Sequence, residues 1–240
     1  MPGMDARQRQ LLTAIIDHFI ETAIPVGSKE LLVSGHFSLS GATIRNEMRA
    51  LGEEGFLDQP HVSAGRVPTA KGYKIYVQES MEPATHERAV RKKFDVLREK
   101  YFQRKDQERA YEAVALLAQM IPNVAFATVP HKPQVYFLGL ANALRQPEFQ
   151  QNPLLATSVV EALEERLTDL LSGIEIDEKI RYYIGEEDLL PTLQSCSMIV
   201  TEYKMNDERG AIGILGPMRM DYAYNTVTLD MVADLLRRKA

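Results

Sequence analysis

The segment 41–54 carries side chains that suit the reading of base pairs in DNA. If it is helical, Ile44, Met48 and Leu51 share one face. The opposite face then carries a small side chain, an amide and two guanidinium groups: Ala42, Asn46, Arg45 and Arg49. In a major groove, Arg pairs with guanine, Asn with adenine, and Ala contacts the thymine methyl group. A surface helix with solvated charges is the alternative interpretation.

The loop that follows, residues 61–69, favours the same chemistry. It combines small residues with one arginine, Arg66, and the stretch 59–78 contains no acidic residue. Such a wing can lie along a phosphate backbone or insert its arginine into a minor groove, with Arg66 at its tip. An ordinary hairpin loop is the alternative.

The candidate DNA-contacting residues come from these two segments and from the helix start that follows them. They are Ser40, Ala42, Thr43, Arg45, Asn46, Arg49, His61, Ser63, Arg66, Thr69, Lys71 and Tyr73. The expected partner of this set is double-stranded DNA.

Residues that could support catalysis do not form a recognisable constellation. No two of the five histidines have metal-ligand spacing, and the single cysteine, Cys196, is expected to be a small core residue. Gly210, Gly213 and Gly216 lack the Lys-Ser/Thr ending of a phosphate loop, so we expect a closely packed strand there. The sequence therefore predicts no enzyme, no metal and no cofactor.

The predicted elements of residues 1–81 have the outline of a winged helix-turn-helix. Three helices precede a two-stranded ribbon, and Thr69 caps a further helix with Tyr73, Tyr76 and Val77 on one face. The helices are predicted over 7–22, 28–33 and 41–54, with Ser40 as the N-cap of the third, and the strands over 56–60 and 66–68.

The rest of the chain predicts an α+β domain with an antiparallel sheet. Residues 82–122 form a helical linker with an apolar stripe, and residues 123–240 form the sheet domain. The stripe consists of Val90, Phe94, Leu97 and Tyr101 and is one candidate surface for self-association, the C-terminal domain being the other. Packing of the stripe on its own subunit is the alternative. Strands are predicted over 124–129, 135–140, 179–184, 197–203 and 211–215, and helices over 154–171 and 223–238.

Composition bounds the class of protein without deciding its partner. The 240 residues are 45% hydrophobic with a net charge of −5, and residues 141–240 hold 10 Lys/Arg against 17 Asp/Glu. No apolar run approaches the ~20 residues of a membrane span, and the N-terminus has no signal core, so we expect a soluble cytoplasmic protein without membrane contact. A mildly acidic chain can still bind DNA if its basic residues share one surface.

Several stretches closely resemble the heat-inducible transcription repressor HrcA family. They are Pro25–Lys29, Ser40–Met48, Gly55–Thr69, Gly72-Tyr73, Gly139–Asn142, Gln146–Phe149 and Gly213–Tyr222. The resemblance is strong over residues 5–81 and looser over 137–238. It implies an N-terminal winged helix-turn-helix followed by a GAF-like domain, and a homodimer that represses chaperone operons from an inverted-repeat operator, the CIRCE element. It further implies that the chaperonin GroEL promotes the active repressor.

The chain departs from the family in its length. Members are longer, and the missing part, between Val129 and Val135, normally carries further strands and an inserted dimerising segment. The resemblance therefore implies a reduced GAF-like domain, for which no small-molecule effector is expected. The alternative function is a winged-helix regulator on the same scaffold that responds to a different effector or operator.

Overall fold

The protein is described by a computed structural model in which two compact units, Met1–Met81 and Glu82–Ala240, are distinguished. The described residues are 4–33, 37, 39–62, 64–101, 109–130, 134–185, 189, 193, 195–205 and 208–237, without the side chains of 100 and 101. Ser63, the side chain of Tyr101 and residues 103–108 of the expected helical linker lie outside the described residues.

The first unit contains four helices and a two-stranded antiparallel ribbon. These are α1 (Ala6–Thr22), α2 (Ser28–Val33), α3 (Gly41–Glu53), β1 (Leu57–Asp58), β2 (Val67–Pro68) and α4 (Ala70–Glu79). The predicted helices and the ribbon are present, although the strands expected over 56–60 and 66–68 shorten to two residues each. Ser40 and Thr69 are confirmed as N-caps, since their hydroxyls accept hydrogen bonds from backbone N–H groups. Gly55 ends α3 with a φ of 79°, a conformation that favours glycine.

The core of the first unit is built by α1, α3 and α4. Four side chains of α1 face inward and are at most 2% exposed: Leu11, Leu12, Ile15 and Ile16. They meet the apolar stripe of α3 and the aromatic rings of Tyr73 and Tyr76, of which the Tyr76 hydroxyl donates to Asp17 at 3.0 Å. This burial fixes which side of α3 faces solvent.

The second unit is a five-stranded antiparallel sheet with helices on both faces. Its order is β4-β3-β7-β6-β5. The strands are β3 (Val124–Thr128), β4 (Val135–Leu138), β5 (Arg181–Ile184), β6 (Cys196–Met205) and β7 (Glu208–Pro217); the helices are α5 (Glu87–Tyr101), α6 (Arg109–Met120), α7 (Leu140–Ala143), α8 (Pro147–Gln151), α9 (Pro153–Glu161), α10 (Leu167–Ser172) and α11 (Tyr222–Arg237). The predicted α+β class with an antiparallel sheet is confirmed, and β6 and β7 form a hairpin in it.

The two faces of the sheet carry different helices because side chains alternate along each strand. Ser197 points to α11, where its hydroxyl lies 2.8 Å from that of Tyr222. Its neighbour Met198 points to the opposite face, into an apolar cluster with Phe126 and the helices α8 to α10. α6 and α11 therefore cover one face, and the α7–α10 segment covers the other.

Three sequence expectations for this unit are wrong in detail. The strand expected over 135–140 ends at Leu138, because Gly139 has a φ of 91° and leads into α7. The single helix expected over 154–171 is interrupted by a π turn over Ala162–Arg166. The stripe on α5 does not offer a free surface, since Val90 and Phe94 are buried within the unit, where α5 packs on α6 and α11.

Candidate nucleic-acid interface

The solvent face of α3 collects the polar residues that the sequence singled out. Ser40 accepts a hydrogen bond from the Thr43 amide at 3.1 Å, and the two hydroxyls lie 2.9 Å apart. Four side chains on this face are exposed: Ala42, Arg45, Asn46 and Arg49. Because Ile44 and Leu51 on the other side have no exposed surface, the helix is held with this face outward.

The acidic residues of α3 do not neutralise the two arginines strongly. Glu47 forms an ion pair with Arg7 of α1, which turns its carboxylate toward the body of the unit. Glu53 lies 3.9 Å from Arg49, and both side chains are about two-thirds exposed or more, at 73% and 67%. Such an exposed pair contributes little, so the Arg49 guanidinium can exchange it for a phosphate or a base.

The loop between β1 and β2 is held in shape by one side chain. Gln59 donates from its Nε2 atom to the carbonyl oxygens of Val62 and Ala64, each at 3.0 Å. His61 and Val62 are exposed at the tip, and the Val62 side chain is fully accessible. The loop therefore presents an imidazole and an apolar group to solvent.

Arg66 does not lie at the tip, so that expectation is wrong. Its backbone N–H and C=O form hydrogen bonds with Val26 at 2.8 and 2.9 Å, so Val26 and Arg66 form an isolated antiparallel bridge beside the ribbon. Gly65 lies against the backbone of Pro25 and Val26, where a Cβ would overlap. The half-buried Arg66 side chain instead reaches back to Gly52 of α3.

The three remaining candidates at the start of α4 make contacts inside the unit. The Thr69 hydroxyl donates to the Gly55 carbonyl, and the Lys71 ammonium donates to the Glu54 carbonyl, both at 2.7 Å. Tyr73 is 1% exposed and belongs to the core. The structure therefore brings together the α3 residues on one surface, and it gives Thr69, Lys71 and Tyr73 contacts with the protein itself.

Sequence reasoning missed the contacts that shape this surface. Arg7 and Glu47 are 40 positions apart, and no local pattern announces their pairing. Gln59 carries a weak signal, since an amide beside a run of small residues can satisfy loop carbonyls.

The other chemical features that the sequence singled out form no second site in the described part of the chain. Cys196 is buried in the sheet, and that burial raises the pKa of its thiol to about 12. The glycines of β7 form a closely packed strand as expected, since a Cβ at Gly213 would overlap the Phe126 ring. The described residues hold no His, Cys, Asp and Glu group suited to a metal ion, and none of their helices has the length and apolarity of a membrane span.

Comparison with known proteins identifies the relatives of this chain. Residues 62–225 match the family model described as HrcA protein C terminal domain. The heat-inducible transcription repressor HrcA of Desulforudis audaxviator is 28% identical, with 98% of each chain covered, and that of Desulforamulus reducens is 28% identical, with 98% of this chain and 96% of the relative covered. A crystal structure of a hypothetical protein at 2.2 Å resolution shares the fold, with a TM-score of 0.76 at 17% identity over 98% of this chain and 96% of that chain.

The relatives are transcription repressors by name, and this is the class of protein that the comparison indicates. The chain belongs to the HrcA family. The alignments run over 342 and 338 positions against 240 residues here, so a long stretch of each relative faces no residue of this chain, as the sequence predicted.

Proposed function

We propose that this chain is a dimeric repressor of heat-shock chaperone genes that binds an inverted-repeat operator of the CIRCE type. The names of its relatives as heat-inducible transcription repressors support the regulatory role. A two-fold related pair of recognition helices suits an inverted repeat, so the homodimer follows from the operator. It acts in the cytoplasm, and the chaperonin GroEL is its proposed protein partner.

In this proposal the first unit is a winged helix-turn-helix, and the second is a reduced GAF-like domain that serves regulation and dimerisation. The α2–α3 pair forms the helix-turn-helix, α3 enters the major groove, and the β1–β2 loop forms the wing. Base contacts come from Arg45, Asn46 and Arg49, with Ala42 against a thymine methyl group. Further DNA contacts in this proposal come from Ser40, Thr43, His61 and Arg66 at the edges of this surface, and Ser63, which lies outside the described residues, remains a candidate from the sequence.

One observation carries the proposal more than any other. The exposed face of α3 holds two guanidinium groups and an amide, while the opposite face is anchored by side chains with at most 5% exposure. A helix anchored in this way presents fixed donors to a groove, which is what base reading requires. The Ser40 cap fixes the start of this helix, and the ion pair with Arg7 turns Glu47 away from the donors.

A second function on the same scaffold is favoured by the short length of the chain. The stretch that the relatives have and this chain lacks could hold contacts for their signal. In that case the DNA-binding unit stays the same, and a different effector or operator replaces the heat-shock circuit.

Chromatin precipitation before and after a heat shock tests the proposal and separates the two functions. We expect the wild-type chain to occupy inverted repeats upstream of chaperone genes at the lower temperature and to leave them on heating. The matched variants are Arg45→Ala on α3 and Arg88→Ala on α5, of which only the first is expected to lose occupancy. Occupancy at other promoters without a response to heat would favour the second function.

A further inference from the structure

The C-terminal end of α3 is closed by a Schellman motif. The Phe56 amide donates to the Leu51 carbonyl at 2.9 Å, and the Gly55 amide donates to the Gly52 carbonyl at 3.0 Å. Gly55 supplies the left-handed conformation that this motif requires. The carbonyl groups beyond those two, among them the ones of Glu54 and Gly55, have no donor from the motif itself.

Two side chains at the start of α4 supply those donors. The Lys71 ammonium donates to the Glu54 carbonyl and the Thr69 hydroxyl to the Gly55 carbonyl, each at 2.7 Å. The Thr69 amide also donates to the Phe56 carbonyl at 3.1 Å. Three consecutive carbonyl groups after α3 are therefore bonded to two residues of another helix start.

The charge and shape of Lys71 suit this position. A cation at a helix C-terminus interacts favourably with the negative end of the helix dipole. Its ammonium nitrogen also lies 4.3 Å from the centroid of the Phe56 ring, within the range of a cation–π contact. Gly72 allows the approach, because a Cβ there would overlap the Phe56 carbonyl oxygen.

We propose that Lys71 and Thr69 are positioning residues that fix the end of the recognition helix, and that they do not contact the duplex. This inference rests on the proposed function of α3. The apolar stripe holds α3 against α1. The hydrogen bonds of Lys71 and Thr69 to the carbonyls of Glu54 and Gly55, which we call the latch, fix the position of the C-terminal turn of α3, which carries Arg49, relative to the ribbon. Loss of the latch then weakens the contacts with bases more than the electrostatic attraction to the DNA phosphates, since base contacts depend on the exact position of the donors.

The variant Lys71→Met separates positioning from phosphate contact, because methionine keeps much of the apolar stem and loses the charge and the donor. The full chain is titrated by fluorescence anisotropy against the duplex that it selects from a randomised pool, and against a scrambled duplex, at several salt concentrations. We expect the affinity for the selected duplex to fall roughly tenfold, because the displaced C-terminal turn of α3 weakens a base contact. The affinity for the scrambled duplex and the salt slope stay as in the wild type, and Lys71→Arg restores the preference.

A phosphate contact gives the opposite pattern. Both duplexes would then weaken equally, and the slope of log K against log salt would become shallower by about one. That pattern overturns the positioning role, as does a Lys71→Met variant with unchanged preference. If the wild type itself selects no sequence, the proposed DNA-reading function fails, and this result is distinct from a failure of the latch.

Variants of Thr69 provide a second, independent test of the proposal, with a matched control. Thr69→Ser keeps both the cap of α4 and the donor to Gly55, whereas Thr69→Val loses both. We expect Thr69→Ser to keep the preference for the selected duplex and Thr69→Val to lose it at a temperature where circular dichroism shows both variants folded. Equal preference in the two variants contradicts the role assigned to the hydroxyl.

Discussion

At the scale of single residues, Arg45, Asn46 and Arg49 owe their availability to neighbours that face the other way. Ile44 and Leu51 have no exposed surface, and Glu47 is paired with Arg7. The donors on α3 are exposed because the apolar side chains on the opposite face are buried. Their proposed role therefore depends on the orientation of the helix as well as on residue type.

The variants Arg45→Ala and Arg49→Ala test that placement. If each guanidinium contacts a base, each change costs about 1–3 kcal/mol of binding free energy per half-site and relaxes preference at one position. The measurement is anisotropy against the selected and scrambled duplexes, with Arg88→Ala, an exposed cation of α5, as the control. Wild-type affinity and preference in both α3 variants would contradict the assignment.

Cys196 allows a test of burial in the second unit. Burial raises its pKa to about 12, so at pH 8 only roughly one thiol in ten thousand carries the reactive charge. We expect no alkylation by iodoacetamide in the native protein at pH 8 and complete alkylation in 6 M guanidinium chloride, measured by mass spectrometry. Rapid alkylation of the native chain would show that β6 is open.

At the scale of elements, the sequence predicts what local chemistry decides. Ser40 and Thr69 mark helix starts, and Gly55 marks an end, because capping uses residues close in the chain. The contacts that place Arg66 against Val26 and Lys71 against Glu54 could not be predicted, since they join positions 40 and 17 apart. The candidate site on α3 could be recognised because its residues are close together in the sequence. Which residues contact DNA and which position the helix could not be predicted, because that division depends on the distant contacts.

The central strand β7 gives an element-scale prediction with a built-in control. Gly213→Ala places a Cβ against the Phe126 ring and the Ile199 carbonyl, so we expect a loss of about 1–3 kcal/mol in the free energy of unfolding. At Gly173 the nearest atoms to a Cβ lie at 3.6 Å and φ is −87°, so Gly173→Ala should change stability little. Urea denaturation followed by circular dichroism compares them, and equal stability of the two variants would contradict the close packing of β7.

At the scale of the whole molecule, the proposed function assigns different roles to the two units. The first unit carries the exposed basic face of α3, and the second buries its helices around a five-stranded sheet. Since Val90 and Phe94 are buried within the second unit, the proposed homodimer requires another surface than the α5 stripe. The sequence predicted the α+β class of this unit, but not the packing that decides which apolar residues are free.

The central claim is that two chains bind one duplex, each through its helix α3. Sedimentation velocity measures the number of chains per duplex directly. The full chain is mixed with a duplex that holds two inverted half-sites of its selected sequence, and separately with a duplex of one half-site. The account predicts two chains on the first duplex and binding to the second that is weaker by at least about tenfold, because each dimer joins two half-sites. One chain per duplex with equal affinity for both would contradict the dimeric repressor.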